Sequence, residues 1–319
     1  MKVLAVFTGG TIGSTREEGV ISPDSQNARL LLEMYRNSGG NAAFETVEPY
    51  RILSENLSAT YLEQLRSCIA ERINGFDGVI VTHGTDSLQY TAAYLGYLFC
   101  DSDVPIVLVS ANYPLADIRS NGLKNFTAAV DFIRSGVGKG VFVAYQNTGE
   151  PFARIHRATR LLPHLPYSDS VFSMADMPYG TVENGVFCCH PDYRAAADKT
   201  DFKNCKLSGQ VLFLRPYVGI RYPDLSADTK AVLMEGWHSG TLPTDSEQLK
   251  AFCKKAQERK IPVLLTGSAD GFEYESKRQY ATMGIIPLPV ASPIAMYMKL
   301  WLTDEIDKVF LPCGEDLIE

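Results

Sequence analysis

Short apolar runs rich in β-branched residues alternate with longer amphipathic stretches along the first 192 residues of this chain, and no other feature of the sequence limits its fold as strongly. Val3–Phe7, Gly78–Val81, Val104–Val109 and Gly140–Tyr145 read as buried strands. Ala28–Arg36, Ser58–Ile73, Ser87–Phe99 and Arg119–Ile133 carry apolar residues at helical spacing, with Ser58 placed to cap its helix. Strand, loop and helix recurring in that order predict βα units around a mainly parallel sheet. In an open sheet of this kind, loops that leave the carboxyl ends of neighbouring strands converge on one crevice.

Two segments break the rhythm. Thr15 to Asp24 holds Arg16, Glu17, Glu18, Gly19 and Pro23, with only Val20 and Ile21 apolar, and reads as an exposed loop able to act as a lid over the end of the first strand. Gly149 to Asp176, with prolines at 151, 163 and 166, reads as a hairpin or long connection. The polar run Tyr193 to Asp201 then marks a boundary. The expected organisation is an N-terminal α/β domain over 1–192, a linker over 193–208 and a smaller C-terminal α/β domain over 209–319. In the last of these, strands Val211–Leu214, Ala231–Met234 and Ile261–Leu265 alternate with helices Glu247–Arg259 and Ala291–Leu302.

With 319 residues, 45% of them apolar and 21% charged, the chain has globular composition and enough length for a sizeable core. A net charge of −7 with scattered cations argues against nucleic acid or an anionic membrane as partner and favours a small molecule. The seven cysteines form no C-x-x-C pair and no zinc-like spacing, so reduced thiols, buried or half-buried, are expected. No apolar run approaches the roughly 18 residues that cross a bilayer, and the chain opens on a strand-like run without the pattern of a signal peptide. A cytoplasmic location is expected.

Two polar loops follow apolar strands. In the first, Thr8-Gly9-Gly10-Thr11-Ile12-Gly13, the glycines allow a sharp turn and bring backbone N–H groups near a ligand, while Thr11 offers a hydroxyl. Taken alone, such a loop more often binds phosphate or shapes the fold, but it matches neither G-x-G-x-x-G nor a loop ending in Gly-Lys-Ser/Thr. A hydroxyl nucleophile needs a base or proton relay, and the second loop, His83-Gly84-Thr85-Asp86-Ser87, holds a hydroxyl and a carboxylate side by side. Asp86 reads either as a group that holds an ammonium or as the N-cap of the following helix. His83 reads as a loop histidine bonded to backbone in preference to a catalytic one.

In this order and spacing, Thr8-Gly9-Gly10-Thr11-Ile12 and His83-Gly84-Thr85-Asp86 resemble the two signature motifs of the bacterial-type L-asparaginases, found also in the related archaeal glutamyl-tRNA amidotransferase subunit. Val104–Asn125 resembles the strand and polar helix after the second motif, and Gly236–Thr241 the Gly-rich loop of the small C-terminal domain. Gly284–Pro287 is similar to a segment of the cytoplasmic type I members, so the resemblance covers essentially the whole chain. It implies the asparaginase fold, a homodimer or homotetramer, no metal or organic cofactor, and hydrolysis of the side-chain amide of L-asparagine or a similar small amide through an acyl-enzyme. Carried over, Thr11 is the nucleophile, Thr85 the second catalytic hydroxyl and Asp86 the group on the substrate ammonium. Ser54, with Glu55 beside it, falls where a serine contacts the α-carboxylate, and Gly84 counts among the substrate-binding positions.

Besides Leu53, which precedes Ser54 where family members usually carry an aspartate, the sequence departs from the family pattern at two points. Pro163 stands where the resemblance places a lysine, and proline neither donates a proton nor bears charge. No tyrosine lies between Thr15 and Asp24, where the family lid carries one. His164 stands next to that position and is of a residue type suited to act as a base, while Arg160 is cationic but too basic to accept a proton; both can also be read as solvent-facing residues of an irregular connection, the reading preferred for His164. An alternative reading is therefore an amino-acid-binding or regulatory protein of the same fold with weak or lost hydrolysis. A dinucleotide-binding dehydrogenase is disfavoured by the glycine pattern of the first loop.

Overall fold

A computed structural model describes the chain except for residues 18, 19, 24, 25, 269–273 and 319 and the side chains of residues 14–28. It divides into two compact units, Met1–Tyr193 and Arg194–Glu319.

The first unit runs β1 (Lys2–Phe7), β2 (Ser14–Glu17), β3 (Val20–Pro23), α1 (Gln26–Asn37), β4 (Ala43–Val47), α2 (Ala59–Arg72) and β5 (Gly78–Thr82). It continues through α3 (Leu88–Leu98), β6 (Ile106–Val109), α4 (Gly122–Ser135), β7 (Val141–Tyr145), β8 (Ala153–Arg157), β9 (Gly180–Glu183) and β10 (Val186–Cys189). Eight strands form one sheet in the order β10-β9-β8-β7-β6-β5-β1-β4. Strands β4, β1, β5, β6 and β7 are parallel, and β8 to β10 extend the sheet antiparallel. From β1 the chain moves to β4 on one side, then returns across β1 to lay down β5, β6 and β7 on the other. The strand order thus reverses between β1 and β5, the place where open α/β sheets form a ligand crevice.

The inner parallel strands β1, β5, β6 and β7 are buried along almost their whole length, which is why they read as continuous apolar runs. One face packs under α1 and α4, where Tyr35 and Phe126 meet edge to face at 5.7 Å. α3 has no polar side, and ten of its eleven residues are buried. The turn Ala158–Arg160 packs on it, and the absence of a Cβ at Gly96 leaves room for Thr159.

Several expectations are corrected. The segment expected as an exposed loop is, over Ser14–Glu17 and Val20–Pro23, an antiparallel hairpin, while positions 18, 19 and 24 lie outside the described residues. β4, β9 and β10 have no counterpart in the sequence reading; all three contain exposed positions, and β4 and β9 also lack an apolar run. Arg160 is buried, with its guanidinium 4.7 Å over the Tyr193 ring, not solvent-facing. All seven cysteines are free, but Cys188 and Cys189 are exposed on the edge strand β10.

The second unit is a parallel sheet in the order β11 (Gln210–Leu214), β12 (Thr229–Glu235), β13 (Val263–Thr266), β14 (Ile285–Pro287). Helix α5 (Glu247–Glu258) covers one face, and Ser246 caps it by accepting from Leu249 N–H. α6 (Tyr280–Met283) leads into β14, and α7 (Pro293–Leu302) covers the other face with Met296 and Leu300. Lys299 on α7 is fully buried and paired at 2.7 Å with Asp316, itself fully buried. No helix among the described residues is long and apolar enough to cross a membrane.

Candidate active site

The two polar loops leave adjacent strands at the point where the strand order reverses. After β1, Thr8 donates its hydroxyl to Thr82 O at the end of β5 (2.6 Å), which ties the two strand ends together. Ile52 N–H donates to Thr8 O and Gly10 N–H to Ile52 O, so a parallel bridge between Gly9 and Ile52 carries the sheet one step past the strand. Gly9 and Gly10 have φ of +98° and +73°, the left-handed region that L side chains rarely enter. A Cβ on Gly9 would overlap Ile52 O, and one on Gly10 would overlap the backbone of Gly84. The turn Thr11–Gly13 follows, anchored by buried Ile12, with Thr11 itself half-buried.

β5 runs into buried His83, whose N–H donates to Val109 O (2.8 Å). Next comes Gly84, then half-buried Thr85 and exposed Asp86. A Cβ on Gly84 would strike the Ser54 side chain, so Gly84 lies between Gly10 and Ser54. Ser54 is buried; its hydroxyl donates to Asp86 Oδ2 and accepts from Asp86 N–H, each at 3.2 Å. Ser87 Oγ donates to Ser54 O at 2.6 Å, a link between loops that sequence reasoning missed because a serine before a helix signals only a cap. Three loops, after β1, before α2 and after β5, therefore meet, the first and third backbone to backbone and the second and third through the Ser54 side chain. Thr11 and Thr85 directly follow the glycines in contact.

Asp86 is not the helix cap. Ser87 occupies that position, and no side chain caps α3 there, which leaves the exposed Asp86 carboxylate bonded to Ser54 and turned outward. Glu55 is exposed beside Ser54. Pro163 and His164 are half-buried on the segment after the Leu161–Ser173 bridge. His164 Nε2 is 2.6 Å from Ser168 O and its ring packs edge-on to Tyr145, so it is not the free surface residue expected. Gly10→Ala tests the glycine contact. The clash and positive φ are expected to cost roughly 1–3 kcal/mol, read in thermal melts, while a variant as stable as wild type would mean the loops are not in contact.

His83 keeps the hydrogen-bonding role expected of it, with Nδ1 2.8 Å from Gly84 O. Burial pushes its pKa down to about 4. His156 on β8, fully buried with Nδ1 2.7 Å from Ser173 Oγ, is pushed down to about 3 by burial and by Arg154. Both rings take up protons more readily in the unfolded chain, whose ordinary value is 6.5. Their contribution to stability is thus full above about 6.5 and is lost as pH falls toward 4 and 3, at about 1.4 kcal/mol per unit. Urea midpoints are expected to drop between pH 7 and 4.5, and less steeply in His156→Gln. Equal slopes in both proteins would contradict a neutral buried His156.

Residues 2–187 match the family model described as Asparaginase, N-terminal. The chain is 28% identical over 326 residues to a glutamyl-tRNA(Gln) amidotransferase subunit of Methanosphaera stadtmanae, covering 95% of this chain and 72% of that one. It is 25% identical over 303 residues to an L-asparaginase of Thermococcus kodakarensis, covering 90% and 88%. In fold it is similar to the solved thermostable L-asparaginase of Thermococcus kodakarensis, with a TM-score of 0.80 at 23% identity over the full length of both. The family match spans more than half of the chain, including the loops of Thr11, Ser54 and Thr85, and the chain belongs to the asparaginase family, whose fold it has and whose amidohydrolase class it shares.

Proposed function

We propose that this protein hydrolyses the side-chain amide of L-asparagine, or of a closely similar small amide, through a threonine acyl-enzyme. The observation that carries the reading is the contact of Gly10 with Gly84 and of Gly84 with Ser54 at the reversal of strand order. Asp86 holds the substrate ammonium, while Ser54, Glu55 and Gly84 line the α-carboxylate side. Thr11 Oγ attacks the amide carbon, its proton passes by way of Thr85 to the leaving nitrogen, and ammonia departs. Water then cleaves the ester, returning a proton to Thr11 and releasing aspartate. A cytoplasmic homodimer or homotetramer without metal or organic cofactor completes the reading.

The test is ammonia release from asparagine, glutamine and other ω-amides at high enzyme concentration. No release from any of them removes the proposal. The competing reading, a binding or regulatory protein, is motivated by Pro163, which has no proton to transfer where the resemblance places a lysine. It is favoured if calorimetry detects aspartate or asparagine binding while no ammonia appears.

A further inference from the structure

We infer that His83 is a positioning residue for the proposed reaction: its ring ties the Gly84–Thr85 peptide to helix α3 and so sets the direction in which Thr85 faces the crevice. The inference rests on the proposed reading of the two loops. Both ring nitrogens are engaged, Nδ1 at 2.8 Å from Gly84 O and Nε2 at 2.8 Å from Thr91 Oγ1. A carbonyl oxygen only accepts, so the hydrogen sits on Nδ1. In the neutral ring Nε2 is then an acceptor, and the Thr91 hydroxyl donates to it. The ring is 2% exposed and Thr91 is fully buried on a helix enclosed on nearly every side, so Thr91 is a fixed reference point.

Gly84 C=O and Thr85 N–H belong to one trans amide and point in opposite directions. With the carbonyl held against the buried imidazole, the N–H is aimed away from it. Accepting a hydrogen bond at the carbonyl also polarises the amide and strengthens its N–H as a donor. Gly10 and Ser54 flank the same glycine, so a turn of this peptide would move the first loop and the Ser54–Asp86 pair with it. A histidine serving only to satisfy a loop carbonyl would need one nitrogen; the second bond, into α3, is what gives the peptide a direction.

Three variants separate orientation from space-filling. His83→Asn places an amide N–H near the Nδ1 position, within reach of Gly84 O. His83→Gln reaches toward Thr91 instead, and Thr91→Val removes the anchor. For folded proteins with unchanged melting curves, kcat on asparagine is expected to fall roughly 10- to 100-fold in His83→Gln and Thr91→Val, with little change in KM. His83→Asn keeps a donor for Gly84 O but loses the bond to Thr91, and is expected to lose kcat as Thr91→Val does. Wild-type kcat in His83→Gln, in His83→Asn or in Thr91→Val overturns the inference. A second readout is independent of turnover: the 15N shifts of the His83 ring, assigned by its loss in His83→Asn, should report a δ-protonated neutral tautomer. An ε-protonated ring overturns the inference even if the enzyme proves inactive, whereas an inactive wild type with a δ-protonated ring removes only the proposed reaction.

Discussion

Replacing Thr11 with alanine is expected to remove nearly all ammonia release from asparagine, a loss on the order of 10⁴-fold or more. The size follows from the role: without the hydroxyl there is no ester to form, and water would have to attack the amide directly in a site shaped for a side chain. Thr11 is half-buried at the start of a short turn, and its neighbours Gly10 and Ile12 make the contacts that hold that turn. Truncation to alanine should therefore leave the fold and the Ser54–Asp86 pair in place. Aspartate binding measured by calorimetry is expected to stay within a few-fold of wild type. Thr11→Ser keeps a hydroxyl and is expected to retain measurable turnover. Ammonia release by the alanine variant within tenfold of wild type would remove Thr11 from the reaction.

The largest effect on stability is expected in the C-terminal unit. Lys299 Nζ donates to Asp316 Oδ2 at 2.7 Å and to Leu311 O at 2.5 Å, and Asp316 Oδ1 accepts from Cys313 N–H at 3.0 Å. Both charged side chains are fully buried. Asp316→Ala leaves an ammonium without its counter-charge in the interior, at a cost of about 3–5 kcal/mol. The melting temperature should fall by roughly 10 °C. Removing both charges, as in Lys299→Met with Asp316→Leu, should recover much of the loss, since well-packed apolar pairs often match buried ion pairs. A single Asp316→Ala substitution costing under about 1 kcal/mol in urea unfolding would show that water reaches the pair.

The sequence made the inner parallel strands legible because β5, β6 and β7 are buried throughout and each reads as one apolar run. The position of Thr11 and Thr85 in loops at strand ends was legible for the same reason. β4 escaped because an edge strand with exposed Glu45 carries no such run. Arg160 was misread because local composition cannot show a cation stacked on Tyr193, a ring thirty-three positions away in the chain. Asp86 was open between two readings until the helix start showed Ser87, not Asp86, at the cap position. What the sequence could not display was the closing of the site by Ser54: its bonds to Asp86 and Ser87 cross more than thirty residues and leave no local pattern.

The central place of β1 also bears on synthesis. Its two partners in the sheet begin only at Ala43 and Gly78, so among the strands of this sheet it is the one that waits longest for both neighbours. Val3–Phe7 is an uncharged apolar stretch of the kind that associates between chains while unpaired. A nascent chain that has not yet delivered β5 to the outside of the ribosome carries this strand with one edge open. Until translation passes Thr82, the edge of β1 that β5 will cover stays unpaired and open to association between chains.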